Sequence, residues 1–513
     1  MKNSPKFDLH APTNSGVVPY ATEWHIVVKQ MISAVSHPET PEDTPLAPLR
    51  RPALRIIHDT LGEYDTFADK EQISKSVTAA VLSRWIDLIA FAGGRLDTGG
   101  SSRPARQWLY ILTNNHGLAR AMSIRLLLAA RAARDVIFHR VALAHHLEDT
   151  FGISARDTIR DITIGLGDAH YGGKTVTRVH FKSGKTIIYK PRPGSSAIWF
   201  KRVHDAVVAL LPDRLSLKFP SMVDGGNHVW EDDISVEGCG SRNEVQLFYE
   251  RAGLLLALCR LCRSTDLHGE NIVASGGYPV PIDTEAFASP AGYGAARHDP
   301  NANLWFAATA VSDLDILPHD VRTCDGLLRR ESSFASRSVS SSETVCGPIF
   351  DGRQIPVEDF ADTLVKGFRL ASHAIWARQI RDGWADIFSD LRYCQPRILL
   401  RPTQLYASLG REVLGTFVEC SHTQIEMELV TRLLASSNSQ ESAAIARAEA
   451  RSMLLGDVPT FTLRTGTLDR LILKPITDTL QGPSATLCDP RDFSPPETQR
   501  EVSLIQKSIG GRG

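Results

Sequence analysis

The chain has 513 residues, enough to bury one large core or two to four smaller ones. Its 57 basic and 58 acidic residues leave a formal net charge of −1, which argues against general nucleic-acid or membrane-surface binding but permits a local basic groove. No run approaches the ~18 apolar residues of a membrane span, no apolar signal region follows Met1, and the eight cysteines lack zinc spacing, so a reduced cytosolic protein is expected.

An amphipathic helix is predicted from Glu23 to Val35. Residues 36–52 carry Pro38, Pro41, Pro45, Pro48 and Pro52 among acids and read as a linker or extended surface segment. From Ala53 to about Gly152 the patterning is helical, clearest around Trp85 and from Leu118 to Leu147. This N-terminal helical region, 1–150, is expected to pack on a catalytic part or to hold a peptide partner. Next comes Gly165-Leu-Gly167-Asp168-Ala-His170-Tyr-Gly172-Gly173, whose glycines permit positive φ and close backbone approach. Asp168 and His170, two apart, are expected to share a side suited to proton or phosphate handling. The period then changes to two. Thr175–Phe181, a Ser183-Gly184 turn and Thr186–Tyr189 predict a β-hairpin ending on Lys190-Pro191-Arg192.

Asn243 to Arg263 reads as one buried apolar helix, in which Cys259 and Cys262 are core thiols. It leads into Asp266-Leu-His268-Gly-Glu270-Asn271. A Gly276-Gly277 turn and the apolar run Tyr278–Ile282 then deliver Asp283-Thr-Glu285. An Asp, an Asn five residues on and a further Asp about a dozen beyond follow the order of a protein-kinase catalytic loop. Phosphoryl transfer needs one carboxylate beside the nucleophile and two oxygen ligands on a hard cation, held on neighbouring segments. Lys190, leaving the second strand of a hairpin, takes the place of the lysine that pairs with nucleotide phosphates.

Residues 286–318 read as an irregular segment, and the serine-rich 331–344 as a mobile loop. Helical patterning returns over 357–392. Arg397 to Tyr406 predicts a short strand whose Arg397 and Arg401 share one face and converge on an anion. Residues 437–452 read as a helix closed by Gly456-Asp457-Val458-Pro459. From about 481 onward, Pro/Gly/Ser/Arg content predicts a flexible tail, 481–513.

These residues carry a family resemblance. Gly167-Asp168-Ala-His170, Tyr189-Lys190-Pro191-Arg192, Phe248-Tyr249-Glu-Arg251-Ala-Gly253, Asp266-Leu-His268-Gly-Glu270-Asn271, Asp283-Thr-Glu285, Arg397-x₃-Arg401-Pro402-Thr403 and Gly456-Asp-Val-Pro459 stand in the order seen in class II lanthipeptide synthetases. Residues 150–465 resemble the N-terminal dehydratase domain of that family. The resemblance implies an α+β fold with a two-lobed, lipid-kinase-like catalytic core (N-lobe 151–240, C-lobe 241–480) beside the N-terminal helices. It also implies ATP-dependent phosphorylation of Ser or Thr in a precursor peptide, then elimination of phosphate to dehydroalanine or dehydrobutyrine. On that reading Lys190 holds nucleotide phosphates, Asp266 is the phosphorylation base, and Asn271 and Asp283 bind Mg²⁺. Asp168, His170, Arg397 and Thr403 match positions tied to the active site and phosphate elimination, with His268 and Glu285 in support.

Two departures stand out. Family members usually continue into a zinc-dependent cyclase, whereas this sequence ends at Gly513 without a zinc set, so ring closure is expected to fall to a separate cyclase. Asp283-Thr-Glu285 has Thr where the family usually has an apolar residue. The alternatives are a peptide or small-molecule kinase that stops at the phosphoester, and a non-enzymatic pseudokinase-like scaffold.

Overall fold

A computed structural model describes residues 20–36, 46–62, 66–92, 104–264, 267, 269–288, 317, 319–322, 328–331, 345–398, 400–401, 403–416, 421–436, 443–464, 466–468, 470–473, 479–481 and 486–510. Six helices come first: α1 (Tyr20–Ser36), α2 (Ala47–Thr60), α3 (Lys70–Ala92), α4 (Pro104–Asn114), α5 (His116–Ala142) and α6 (Ala144–Phe151). The proline-rich segment is therefore not all linker. Pro48 lies in the first turn of α2, where a missing N–H costs nothing, and Pro52 and Ala53 are buried. Residues 37–45 lie outside the described residues.

An antiparallel sheet follows, made of β1 (Ile159–Ile164), β2 (Thr177–Phe181), β3 (Thr186–Lys190), β4 (Met222–Asp224) and β5 (Val229–Asp232), with α7 (Ser195–Val208) between β3 and β4. Its order is β1-β2-β3-β5-β4. The β2–β3 hairpin has the predicted period of two, with Val179, Phe181, Ile187 and Tyr189 on the buried side. Those side chains, with Trp230, belong to the same core as Ile57, Val77, Trp85 and Ile137 of the helices. Residue 150 is thus a change of secondary structure within one core. Each large apolar side chain buried there contributes roughly 1.5–3 kcal/mol. His139 of α5 reinforces the junction: its ring stacks on His228 at 3.7 Å, and its Nδ1 lies 2.8 Å from the Tyr189 hydroxyl.

The second core forms around α8 (Arg242–Cys262), the apolar helix read from the sequence. Ser241 caps it by accepting from the Glu244 N–H, and Arg263 ends it in the left-handed conformation. The β6 (Ile272–Ser275)–β7 (Tyr278–Pro281) hairpin follows, then β8 (His319–Arg322) paired with β9 (Leu328–Glu331), and β10 (Ile349–Phe350) with β11 (Arg353–Gln354). Arg251 of α8 fixes the first hairpin. Its guanidinium sits 3.6 Å from the Tyr278 ring centre and donates to the Gly277 carbonyl at 2.5 Å. Against α8 packs α9 (Ala361–Arg381). A Cβ on Gly253 would strike the Leu364 carbonyl and one on Gly367 the Glu250 carbonyl, so these two glycines set the distance between the helices. The chain closes with α10 (Ala385–Phe388), α11 (Thr403–Thr416), α12 (His422–Ala435), α13 (Ala443–Leu454), a three-stranded sheet of β12 (Phe461–Leu463), β13 (Arg470–Leu473) and β14 (Thr479–Gln481), and α14 (Pro495–Gly510).

Two expectations change here. The segment read as a flexible tail contains α14, because Val502, Ile505 and Ile509 recur on one helical face and are buried in the second core. Among the described residues the strand expected from Arg397 is reduced to an isolated bridge from Ile398 to Phe461. Most of 286–318 and all of 332–344 lie outside the described residues. No helix among the described residues is long and apolar enough to cross a membrane.

Candidate active site

Four chain segments meet beside the end of β3. The glycine-rich loop comes first. Gly165, Gly167, Gly172 and Gly173 all take positive φ, and Tyr171 joins them at φ 53°. The loop doubles back so that His170 and Lys174 exchange backbone hydrogen bonds at 2.9 and 2.8 Å. Asp457, in the turn after α13, clamps it: one carboxylate oxygen accepts from the Gly172 N–H and the other from the Gly173 N–H, each at 2.7 Å. The Val458 N–H also donates to the Ala169 carbonyl at 2.8 Å. Burial pushes the Asp457 carboxyl up to about 6, against the pull of the Gly172 and Gly173 N–H groups and Arg125.

The clamp also orients His170. Its Nδ1 lies 2.8 Å from the Val458 carbonyl, which can only accept, so Nδ1 carries the proton and Nε2 the lone pair. The Thr460 hydroxyl stands 2.9 Å from the same Nδ1. Nε2 faces a guanidinium nitrogen of Arg397 at 3.4 Å. Burial, then the Arg397 charge, lowers the His170 pKa to about 3, so the ring is neutral.

Lys190 ends β3, paired in register with Val229, and is buried. Its ammonium contacts Glu231 of β5 at 2.5 Å and donates to the Ile282 carbonyl. Two residues on, Arg192 meets Asp283 at 3.1 Å and both carboxylate oxygens of Glu285. Arg397 approaches the same Glu285 carboxylate at 3.6 Å, while its backbone N–H donates to the Glu285 carbonyl at 2.9 Å. Asn271 stands at the open end of the β6–β7 hairpin, where its carbonyl accepts from the Ile282 N–H at 3.0 Å.

Charge decides the ionisation states. Burial opposes ionisation of Asp283, but Arg192 and then Lys190 outweigh it and hold its carboxyl below the usual range. Burial likewise opposes the Arg192 charge, and Asp283 and Glu285 more than restore it. Glu285 goes the other way: burial pushes it up despite Arg192, with Asp283 adding to the rise. The segment therefore offers one firmly ionised carboxylate next to one reluctant one.

The structure thus brings together Lys190, Asp283, Glu285, Arg397 and His170. Asp168 is exposed on the glycine loop, near enough to Arg397 and Arg84 to act on their charges. It does not share the buried side of His170, because the loop is not a strand. Thr403 opens α11 and makes no hydrogen bond to the cluster among the described residues. Asp266 and His268 lie outside the described residues. Arg401 turns away: it binds Glu449, so the two arginines do not converge on one anion. Arg192, Glu231, Tyr171 and Asp457 were not singled out as site residues. Arg192 had a signal in its spacing from Lys190; Glu231 and Asp457 acquire their roles through contacts distant in sequence.

A narrow cleft of about 20 Å³ runs along this group, lined by Lys190, Arg192, Met222, Glu231, Ile282, Thr284 and Glu285. As donors, the Asn271 side-chain oxygen and the ionised Asp283 carboxylate suit a hard divalent cation, and Lys190 suits an anionic phosphate.

A family model described as a domain of unknown function (DUF4135) matches residues 117–338 and 316–464. The chain belongs to this family. The DUF4135 match takes in the glycine loop, Lys190, Asp283, Arg397 and Asp457, so every segment of the cluster lies within it. Helices α1–α4 and α14 lie outside. A curated relative, the lacticin 481/lactococcin biosynthesis protein LcnDR2 of Lactococcus lactis subsp. lactis, is 27% identical over 140 residues. That stretch is 26% of this chain and spans 15% of the relative's length.

Proposed function

We propose that this protein is a lanthipeptide-type dehydratase, which phosphorylates Ser or Thr of a precursor peptide with ATP and then eliminates the phosphate. The curated match supports the lanthipeptide-synthetase resemblance at the level of the family. The observation that carries the chemistry is the meeting of Lys190, Arg192, Asp283, Glu285, Arg397 and His170 from separate segments in one buried cluster. A two-lobed kinase-like arrangement is part of the proposal: the β1–β5 sheet with Lys190 forms one wall, and the hairpin carrying Asn271 and Asp283 the other.

Bound Mg²⁺, held by Asn271 and Asp283, would offset the charge of the phosphates. Lys190 leaves Glu231 and the Ile282 carbonyl to meet those phosphates. Asp266 accepts the hydroxyl proton as the substrate oxygen bonds to phosphorus and ADP departs. In the second step a base takes the Cα proton, the Cβ–O bond breaks, and phosphate leaves as Cα=Cβ forms. Arg397 stabilises the departing dianion. His170, neutral and with Nδ1 tied to Val458, positions Arg397. The present cleft has room for about one water molecule, so nucleotide entry requires the sheet and hairpin to part.

Incubation with Mg²⁺-ATP and a Ser/Thr-containing precursor peptide tests this by mass spectrometry. The expected product has lost water; retained phosphate would favour the kinase that stops at the phosphoester. Asp283→Asn is expected to lower ADP formation by about a thousandfold, since it removes the ionised ligand. Unchanged turnover in that variant refutes the assignment.

A further inference from the structure

Between Gly165 and Gly173 the chain takes positive φ at five residues, and four of them are glycines. The exception is Tyr171, at φ 53°, where a bulky side chain is a steric outlier. Such strain persists only where the surroundings over-determine it, and such places gather at functional sites. Here the surroundings are explicit. His170 and Lys174 exchange backbone hydrogen bonds around Tyr171, and Asp457 holds the two N–H groups that follow it. The loop is also pressed onto α5, since a Cβ on Gly173 would stand 2.5 Å from that of Leu128.

This backbone sets the Tyr171 ring 6.1 Å from that of His170, whose Nε2 faces Arg397. The phenol is near enough to feel the charges of Glu285, Arg192, Arg397 and Asp283, and to act in turn on both arginines. Burial, then Glu285, raises its pKa against the pull of Arg192 and Arg397, so it stays protonated and can donate. Tyr171 as a whole is only half-buried, and among the described residues its hydroxyl makes no hydrogen bond. The Glu285 carboxylate beside it is already met by Arg192 at both oxygens and approached by Arg397. A donor held at the cost of backbone strain, next to arginines and without an acceptor, calls for an arriving anion with several oxygens.

Building on the function proposed above, we propose that Tyr171 is a further catalytic residue, whose hydroxyl donates to an oxygen of the phosphate monoester that Arg397 holds. It keeps that hydrogen bond as the Cβ–O bond breaks and its electron pair leaves on the phosphate. Tyr171 forms no covalent bond and surrenders no proton; the Cα proton goes to a separate base. The glycine loop thereby supplies the elimination step with a neutral donor beside the cationic one.

The test uses the full chain, inorganic phosphate as a calorimetric binding probe, and a synthetic phosphoserine peptide supplied with Mg²⁺-ADP, which bypasses the first step. Tyr171→Phe keeps the ring and the backbone and removes only the hydroxyl. It is expected to slow loss of phosphate from the peptide about a hundredfold and to weaken phosphate binding about tenfold. Tyr171→Gly accepts positive φ without strain and also lacks the hydroxyl, so its losses should be at least as large. The rate ratio between the protein and Tyr171→Phe should stay constant from about pH 6 to 9, because a neutral donor does not titrate there. A ratio that grows with pH would make the phenolate a base and overturn the proposal. So would full elimination rate and full phosphate affinity in Tyr171→Phe, which leave the dehydratase reading intact. Phosphate binding that depends on the hydroxyl, in a protein that leaves the phosphopeptide whole, keeps the donor and refutes the elimination chemistry.

Discussion

Two clusters that bury arginine against carboxylate differ in how completely their charges are matched. Around Glu449, which is fully buried, Arg401 donates from Nε to both carboxylate oxygens at 3.1 and 3.2 Å, and Tyr406 adds its hydroxyl at 2.7 Å. Ser436 takes another Arg401 nitrogen at 3.2 Å. The acceptor is saturated, and all four residues lie on the chain between α11 and α13 or just before it. Around Glu285, two arginines, a lysine and a neutral histidine gather with three carboxylates, Glu231, Asp283 and Glu285, along a narrow cleft. The first arrangement joins helices. The second pairs its charges beside a cleft, which fits the phosphate binding proposed above.

The sharpest way to break this comparison is Glu449→Ala. It strands Arg401 in a dry interior, and removing one partner of a buried pair costs about 3–5 kcal/mol. Urea denaturation is expected to show that loss, while activity per folded molecule stays unchanged. A loss below about 1 kcal/mol would mean that water reaches the pair and that the two clusters do not differ in this way.

Arg397→Ala probes the other cluster. Withdrawing a donor from a developing oxyanion costs roughly 100- to 1,000-fold in rate. The loss is expected in the elimination step, so phosphorylated peptide should accumulate in the mass spectrum while ADP formation continues. If both steps fall together, Arg397 acts through Glu285 on the whole site. If neither falls, the residue is structural like Arg401.

The sequence made some of this legible. The alternating Thr186–Tyr189 run set the register that places Lys190, and the unbroken apolar stretch of α8 identified the central helix of the second core. Both are local patterns read within one element. The partition of the arginines was not local: Arg397 and Arg401 are four residues apart, yet one meets Glu285 and the other Glu449. Only tertiary packing separates them, since each arginine meets a carboxylate distant in sequence. The α14 helix was missed for a different reason. Its Val502, Ile505 and Ile509 spacing was present, but the surrounding Pro, Gly and Arg content carried more weight than the periodicity. The Asp457 clamp had no local signal, since its partners Gly172 and Gly173 are far away in the chain.

That clamp gives the smallest effect and a direct measure of how dry the glycine loop is. The folded Asp457 carboxyl stands at about 6 against 3.8 in a solvated chain. Between those values the folded state holds a proton that the unfolded state has released, so stability falls as pH rises. The favourable contribution is fully present below about 3.8 and is lost as pH passes 6. The expected change is about 2–3 kcal/mol across that window. Urea midpoints measured from pH 4 to 7 for the protein and Asp457→Asn should agree most closely at low pH, where both side chains are neutral, and separate as pH rises, as the variant lacks the proton-linked slope. Parallel curves would show that the two glycine N–H groups and Arg125 already offset the burial of the carboxylate. The loop would then owe its shape to neutral packing, and the contrast with the saturated Glu449 cluster would narrow to Arg192, Asp283 and Glu285.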